Sequence, residues 1–522
     1  MSKVMPDQNK LEINDLFRAA LEIMENSQRS LFITGRAGTG KSTLLDYFRN
    51  HTVKRVAVLA PTGVAALNVR GQTIHSFFGF KPNITLQMIR KLRPEDQGYN
   101  LYRQLDTIII DEISMVRADL LDCVDNFLRL NGREPGQPFG GTQMIFIGDL
   151  YQLPPVLTSA EKTGFNLIYP SPYFYSAKVF ESFDMEFIEL EKIYRQHDLN
   201  FIELLNAIRN RSVTEEHLEK LNSRYKPDFA PSPDDFFIYL TTTNALAREI
   251  NQKQLDKLKS RAYTLKGEIN GEFSNEYLPT DIELTVKKGA QVMLLNNDTE
   301  GRWVNGSVGE ILQIIAGNGV DPVILVKLAE GDEVEVTPYT WEISRLKVEN
   351  GMLRSEVTGT VRQFPLMLAW AITIHKSQGK TFERVIIDIG KGTFAHGQLY
   401  VALSRCRTLE GIILKKPIQK KHILTDFQVV EFLTRYQYRR AEEQCSLNTK
   451  IDLIQAAIRE KRALEIVYLK PSDEKTRRTI IPISVGEMTF QGKTYTGVRA
   501  FCLTRNSERT FRVDRILEIK KV

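Results

Sequence analysis

Gly35-Arg36-Ala37-Gly38-Thr39-Gly40-Lys41-Ser42 is the stretch on which the fold turns. It spells G-x-x-x-x-G-K-[ST], follows the apolar run Leu31-Phe32-Ile33-Thr34 and opens a helix-like segment. That is the setting in which such a loop binds phosphate. Gly35, Gly38 and Gly40 let backbone N–H groups curl around an anion. Lys41 is positioned to reach the β- and γ-phosphate oxygens, and Ser42 to offer its hydroxyl to Mg²⁺; Thr39 and Thr43 complete the candidate nucleotide set.

Downstream, Ile108-Ile109-Ile110-Asp111-Glu112 reads as a buried strand ending in two carboxylates. Asp111 is the candidate Mg²⁺ holder, with Ser42, and Glu112 the candidate base for an attacking water. Alone, such a pair also reads as two solvated carboxylates; a phosphate loop upstream favours the catalytic reading. Other short continuous apolar runs recur at Val56–Leu59, Met144–Ile147, Phe237–Leu240 and Val385–Ile387. Runs of that kind suit strands covered on both faces, so the expected class is α/β, with two lobes each built on a parallel sheet. Between Ala290 and Glu342 the pattern changes to short alternating segments broken by glycine, as in a small antiparallel barrel.

With 522 residues the chain exceeds what one hydrophobic core supports. Composition is 42% hydrophobic and 26% charged, and no apolar run is long enough to span a bilayer. The first residues, Met1–Asn14, lack an apolar secretory core. Cys123, Cys406, Cys445 and Cys502 form no C-x-x-C pair, which argues against a zinc site or a disulfide framework and fits a cytoplasmic, reducing setting. Net charge is +6, unevenly spread. From Leu447 to Val522 there are 16 Lys and Arg against 9 Asp and Glu, an excess of seven that leaves the rest of the chain at minus one.

Further motifs narrow the chemistry. Phe146-Ile147-Gly148-Asp149-Leu150-Tyr151-Gln152 places Gln152, a candidate γ-phosphate sensor, after a central strand. Leu59-Ala60-Pro61-Thr62-Gly63-Val64-Ala65-Ala66 and Gly71-Gln72-Thr73-Ile74-His75-Ser76-Phe77-Phe78 combine small residues with aromatics, a surface on which a nucleic-acid backbone can approach and bases can stack. Core packing is the competing reading for Phe77 and Phe78. Together with Ile374-His375-Lys376-Ser377-Gln378-Gly379 and Tyr400-Val401-Ala402-Leu403-Ser404-Arg405, these stretches resemble the ordered motif set of superfamily-one DNA helicases. The spelling is most similar to the Pif-one family, near the RecD-like enzymes, over about Gln28 to Leu414.

The resemblance implies two RecA-like lobes with ATP and Mg²⁺ in the cleft, residues 1–185 forming the first and 186–425 the second. It implies a wedge-like insertion at 81–104 and an SH3-like insertion at 262–360. Arg195, in Glu191-Lys192-Ile193-Tyr194-Arg195-Gln196, matches a γ-phosphate arginine, and Arg405 the second-lobe arginine finger; Gly379 joins the nucleotide set. Pro61, Thr62, Gly63, His75 and Phe77 match first-lobe DNA-contacting positions, and Thr243, Asn244, His375, Lys376 and Ser377 second-lobe ones; His375 reads equally as a structural histidine. One departure stands out. Relatives carry a glutamine upstream of the phosphate loop that reads adenine; here that place falls near Phe17, the nearest preceding glutamine is Gln8, and Phe17 reads as a base-stacking or a core aromatic.

Residues 426–446 are expected to be a helical linker. From Leu447 to Val522, the segments Ile466–Leu469 and Arg509–Ile516 flank a β-rich stretch resembling a WYL domain, its namesake tripeptide altered to Thr494-Tyr495-Thr496. This domain is either a nucleic-acid contact or a structural appendage. The implied activity is a monomeric, ATP-driven DNA helicase moving 5′-to-3′ on single-stranded DNA and opening tailed or structured duplexes, nucleoid-associated if bacterial. The alternatives are a RecD-like motor subunit of a nuclease complex and a nucleic-acid-dependent ATPase switch.

Overall fold

The computed structural model describes residues 13–96, 98–196, 198–271, 278–315, 321–349, 352–390, 392, 395–471, 473–490 and 492–522. Gln8 and most of the polar N-terminal stretch lie outside them. The chain divides into two compact units, one of residues 1–205 and 215–424, the other of 206–214 and 425–522.

The first unit begins with a six-stranded, wholly parallel sheet. Its strands are β1 (Leu31–Gly35), β2 (Val56–Ala60), β3 (Gln72–Thr73), β4 (Thr107–Ile110), β5 (Gln143–Ile147) and β6 (Glu186–Leu190), in the order β3-β2-β4-β5-β1-β6. The apolar runs form strands because helices cover both faces: every residue of β1, β4 and β5 is buried. Leu31, Ile33, Ile109, Ile145 and Ile147 pack against Leu44, Leu45 and Phe48 of the helix Lys41–His51. Each fully buried aliphatic side chain there contributes about 1.5–3 kcal/mol.

Register decides where the site lies. Ile33 pairs with Ile147 and Ile110 with Phe146, so β1, β4 and β5 end at one edge. The phosphate loop, Asp111-Glu112 and Asp149–Gln152 therefore leave the sheet side by side, at the carboxyl ends where open α/β sheets bind ligands.

A second parallel sheet holds Ala371–Thr373, Ile238–Thr241, Val385–Ile387 and Ile412–Leu414 in that order. Two lobes on parallel sheets are thus present, as expected, with Glu186–Leu190 in the first sheet. The insertion within the second lobe is antiparallel. Glu333–Val336, Val323–Leu328, Val308–Ile315, Gln291–Leu294 and Leu366–Leu368 form a five-stranded sheet over a core containing Val292, Ile311, Val326 and Trp303. Its first and last strands are edges among the described residues, so the SH3-like closure is not seen. A long hairpin, Tyr339–Glu349 with Met352–Gln363, extends the insertion. Among its described residues, the wedge-like segment 81–104 contains only short helical turns, Leu86–Met88 and Leu101–Gln104. Asn131 pins it: its Oδ1 accepts from Leu92 N–H at 2.7 Å and its Nδ2 donates to Arg90 O at 3.1 Å.

In the second unit, a five-stranded antiparallel sheet runs in the order Ser507–Arg512, Lys493–Cys502, Lys475–Phe490, Leu464–Leu469, Ile516–Lys521. Its core of Ile466, Ile480, Val498, Phe511 and Ile516 is closed by Ile454 and Ala457 of the helix Leu447–Glu460. The stretch expected as a linker forms the helix Phe427–Gln444, which buries Val429, Val430, Leu433 and Ala441. It belongs to this unit because a helix with that apolar face needs a partner surface. Residues 206–214 belong here too: Asn210 Nδ2 donates to Asp473 O at 3.4 Å, and Gln437 Nε2 to Asp473 Oδ1 at 2.6 Å.

Candidate active site

Gly38 and Gly40 have φ of +82° and +88°, left-handed values that favour glycine, and they turn the loop into its helix. Beneath the loop, Lys41 Nζ donates to Gly35 O at 2.7 Å and Arg36 O at 3.0 Å. Burial lowers the Lys41 pKa, while Asp149, Glu112 and Asp111 hold its proton in place.

Burial also pushes the Asp111 carboxyl up to about 7, with Glu112 adding to the effect and Lys41 opposing it. Burial raises the Glu112 carboxyl as well, with Lys41 and Arg405 opposing the rise. Its backbone sits at φ +51°, a conformation costing a non-glycine residue about 1–3 kcal/mol. That strain lies at the end of β4, where it redirects the chain beside the phosphate loop. Gln152 Nε2 donates to Asp149 Oδ2 at 3.3 Å, and both residues are buried.

Lys41, Glu112 and Gln152 border a cavity of 830 Å³ whose walls come from both lobes. Gly38, Thr39, Gly40, Lys41, Ser42, Thr43, Glu112 and Gln152 line it from the first; Gly379, Thr381, Arg405 and Arg407 line it from the second; Tyr194 and Arg195 join the two. Arg405 is 1% exposed. Its Nε donates to Val401 O at 3.0 Å and its Nη2 to Ser404 Oγ at 3.0 Å. Burial pushes its pKa down to about 9, aided by Arg195 and opposed by Tyr400, Glu112 and Asp149. Arg195 Nη1 donates to Ser404 O at 3.3 Å and Nη2 to Gly379 O at 3.4 Å. Lys41, Glu112, Gln152, Arg195 and Arg405, all named from sequence, thus share one cleft, with Asp111 next to Glu112 in the chain.

Phe17 is 3% exposed, packs edge-on against Tyr47 and forms part of the cavity wall, so its core reading and its place beside the nucleotide site hold together. Tyr194, more exposed, stands over Gly40 on the same wall.

The DNA-contact candidates divide. Thr62 and Thr243 are exposed and hold equivalent places. Each follows a parallel strand and caps the next helix, Thr62 accepting from Ala65 N–H and Thr243 from Leu246 N–H, both at 3.3 Å. Pro61 and His75 are half-buried, Gly63 is buried, Asn244 and Lys376 are exposed. His375 is half-buried and its pKa is lowered by burial. Two positions are buried. The Phe77 ring is 5% exposed within an aromatic cluster, 4.9 Å from Phe78 and 5.5 Å from Tyr102. Ser377 is fully buried, its hydroxyl donating to Ile374 O at 2.7 Å, so it shapes a turn.

Sequence reading gave no role to two residues that join the lobes. Ala37 N–H, in the phosphate loop, donates to Tyr400 Oη at 3.1 Å. Gln196 Nε2 donates to Ser404 O and Cys406 O, each at 3.1 Å. Both lie inside quoted motifs, but their partners are some 200 or more residues away in sequence and no periodicity links them.

Among the described residues no cluster of metal-ligating side chains stands ready-made, and no helix is long and apolar enough to cross a membrane. The PIF1-like helicase profile matches residues 9–219, that of the UvrD-like helicase C-terminal domain residues 368–412, and that of the WYL domain residues 449–521. An ATP-dependent DNA helicase Pif1 from Bdellovibrio bacteriovorus is 30% identical over 440 residues, covering 82% of this chain and 93% of that protein. The crystal structure of Bacteroides Pif1 in complex with ADP-AlF4 is 36% identical, with a TM-score of 0.75 over 82% of this chain and 98% of that one. The same Bacteroides protein bound to single-stranded DNA matches over the same shares with a TM-score of 0.60.

Proposed function

This chain belongs to the PIF1-like family of ATP-dependent DNA helicases, and from that premise we propose that it hydrolyses ATP between its two lobes to move 5′-to-3′ along single-stranded DNA and open tailed or structured duplexes. The observation that carries the reading is the shared cleft: Lys41 and Glu112 come from one sheet, Arg405 from the other, around one cavity. An arginine delivered by a second lobe makes γ-phosphate contact depend on lobe closure, so binding and hydrolysis become motion.

Lys41 neutralises phosphate charge, and Glu112 takes the proton of the attacking water. Arg195 and Arg405 stabilise charge on the transferred group. The hard oxygen donors Ser42 and Asp111, with the buried carboxyl of Asp111 countered only partly by Lys41, suit Mg²⁺. When bound, that ion supplies further neutralisation of phosphate charge. Pro61, Thr62, Gly63, His75, Thr243, Asn244, His375 and Lys376 form the path of the DNA strand, from the equivalent ends of the two sheets. The protein works as a monomer in the cytoplasm, on cellular DNA.

A fluorescent duplex with a 5′ single-stranded tail tests this directly. Unwinding should require ATP and that tail; efficient opening of a duplex bearing only a 3′ tail would reverse the polarity. ATP turnover without any unwinding would favour the switch reading.

A further inference from the structure

Tyr194, Arg195 and Gln196 run between the phosphate loop and the second-lobe arginine, and each is tied down. On one side, Tyr194 N–H donates to Gly38 O at 2.8 Å. A Cβ on Gly38 would stand only 2.5 Å from Arg195 Cβ, so the loop and this segment pack backbone to side chain with no room between. On the other side, Gln196, 2% exposed, directs Nε2 to the carbonyls of Ser404 and Cys406 at 3.1 Å each. Those are the two residues flanking Arg405.

A buried carboxamide whose donor group serves two carbonyls is costly to replace, because both acceptors lose that donor, Ser404 O keeping the bond from Arg195 Nη1. Bracketing a residue on both sides fixes its Cα and the direction in which its side chain leaves. The Arg405 guanidinium is then held from within by Val401 O and Ser404 Oγ.

We propose that Gln196 is a positioning residue for ATP hydrolysis: by holding the backbone on both sides of Arg405 it sets that guanidinium against the transferred phosphate and ties its place to the phosphate loop through Tyr194 and Gly38. This rests on Arg405 acting in the cleft as described above. Gln196 touches no substrate itself, so it acts on turnover and leaves ATP binding alone. Catalytic geometry is steep, a displacement near 1 Å costing up to about 10²-fold in rate.

The test uses the full-length protein with saturating single-stranded DNA. Q196M keeps length and volume and removes the donor; Q196E keeps shape and turns an acceptor toward two carbonyls. Both should lower DNA-stimulated kcat by about 10-fold or more while the KM for ATP stays within about twofold. In an R405A background Q196M should cost nothing further, since the residue it positions is gone. Wild-type kcat in Q196M would overturn the inference. So would the same fractional loss in the R405A background, or a rise in KM that tracks a fall in melting temperature in both variants. R405A alone separates the two levels: if it retains full turnover, the role given to Arg405 fails first.

Discussion

The two lobes of the motor share a plan and divide the chemistry. Each is a parallel sheet in which a threonine at a strand end caps the next helix, Thr62 in one and Thr243 in the other. Each also holds a half-buried lysine. Lys41, in the first, is surrounded by Asp149, Glu112 and Asp111, which offset the cost of burying its charge. Lys380, in the second, is pushed down to about 8 by burial, and donates to Asn305 Oδ1. On the function proposed above, one lobe holds a charge against phosphate; the other brings an arginine to it and surrounds its lysine with no comparable acidic groups. A duplicated fold therefore need not duplicate a site; what differs is the electrostatic surroundings at one sheet edge.

The sharpest break comes from the first lobe. Lys41→Ala should abolish ATP turnover and leave single-stranded DNA binding largely intact, because the lysine serves phosphate and not the DNA path. Turnover near the wild-type rate would mean the loop is not the nucleotide site. Glu112→Gln keeps shape while removing the base, so nucleotide should still bind but turn over about 10²-fold more slowly. Loss of nucleotide binding instead would make Glu112 a structural residue.

Arg405→Ala probes the second lobe. The unstimulated rate should change least, and the stimulation by single-stranded DNA should disappear, since DNA spanning both lobes favours the closed, arginine-engaged cleft. Steady-state assays with and without DNA measure this. If the variant is stimulated as strongly as wild type, closure is communicated elsewhere.

A smaller effect should come from Lys380. Its folded pKa lies below the ordinary 10.5, so between about pH 8 and 10.5 the unfolded chain binds more protons and wild-type stability rises with pH. Lys380→Met lacks that rise. Thermal melts across this window should therefore move in favour of wild type by a few degrees as pH increases. Parallel curves would show that Lys380 titrates normally.

What the sequence disclosed follows the same division. The phosphate loop and Asp111-Glu112 are local signals: a glycine pattern and a strand end carry their own chemistry, and both were legible. So were the two parallel sheets, because strands buried on both faces read as continuous apolar runs. Gln196 and Tyr400 were not, since their roles consist of contacts to residues far away in the chain. The surroundings of Phe77 stayed open for a different reason. Aromatic content near a motif cannot say which way a ring points, and here it points into a cluster with Phe78 and Tyr102. The helix Phe427–Gln444 looked like a linker because its exposed face is highly charged; its buried stripe of Val429, Val430, Leu433 and Ala441 shows only once a partner surface exists.

The second unit offers the mildest test and the most informative contrast with the motor. The excess of seven positive charges over residues 447–522 was the reason to expect DNA contact. The structure reduces that case: Arg477 pairs with Glu465, Arg499 with Glu508 and Arg512 with Asp514. All three are surface pairs, each contributing at most about 1 kcal/mol, so phosphates can compete for them. Arg505 and Arg509 are exposed, and Arg509 makes only a long contact, 3.4 Å, to Ser507 Oγ. Removing the domain is a poor experiment, since a cut at Gln444 falls inside the unit and one at Leu424 strips residues 206–214 of their partners. Replacing both exposed arginines by alanine leaves the core untouched. Each phosphate contact adds about one unit to the slope of log affinity against log salt. If both arginines meet phosphate, the R505A/R509A variant should show a slope shallower by about two, weaker binding to long single strands, and unchanged DNA-stimulated ATPase at saturating DNA. An identical slope would leave this unit with no electrostatic share in DNA binding through these arginines, and the whole of the salt dependence with the motor.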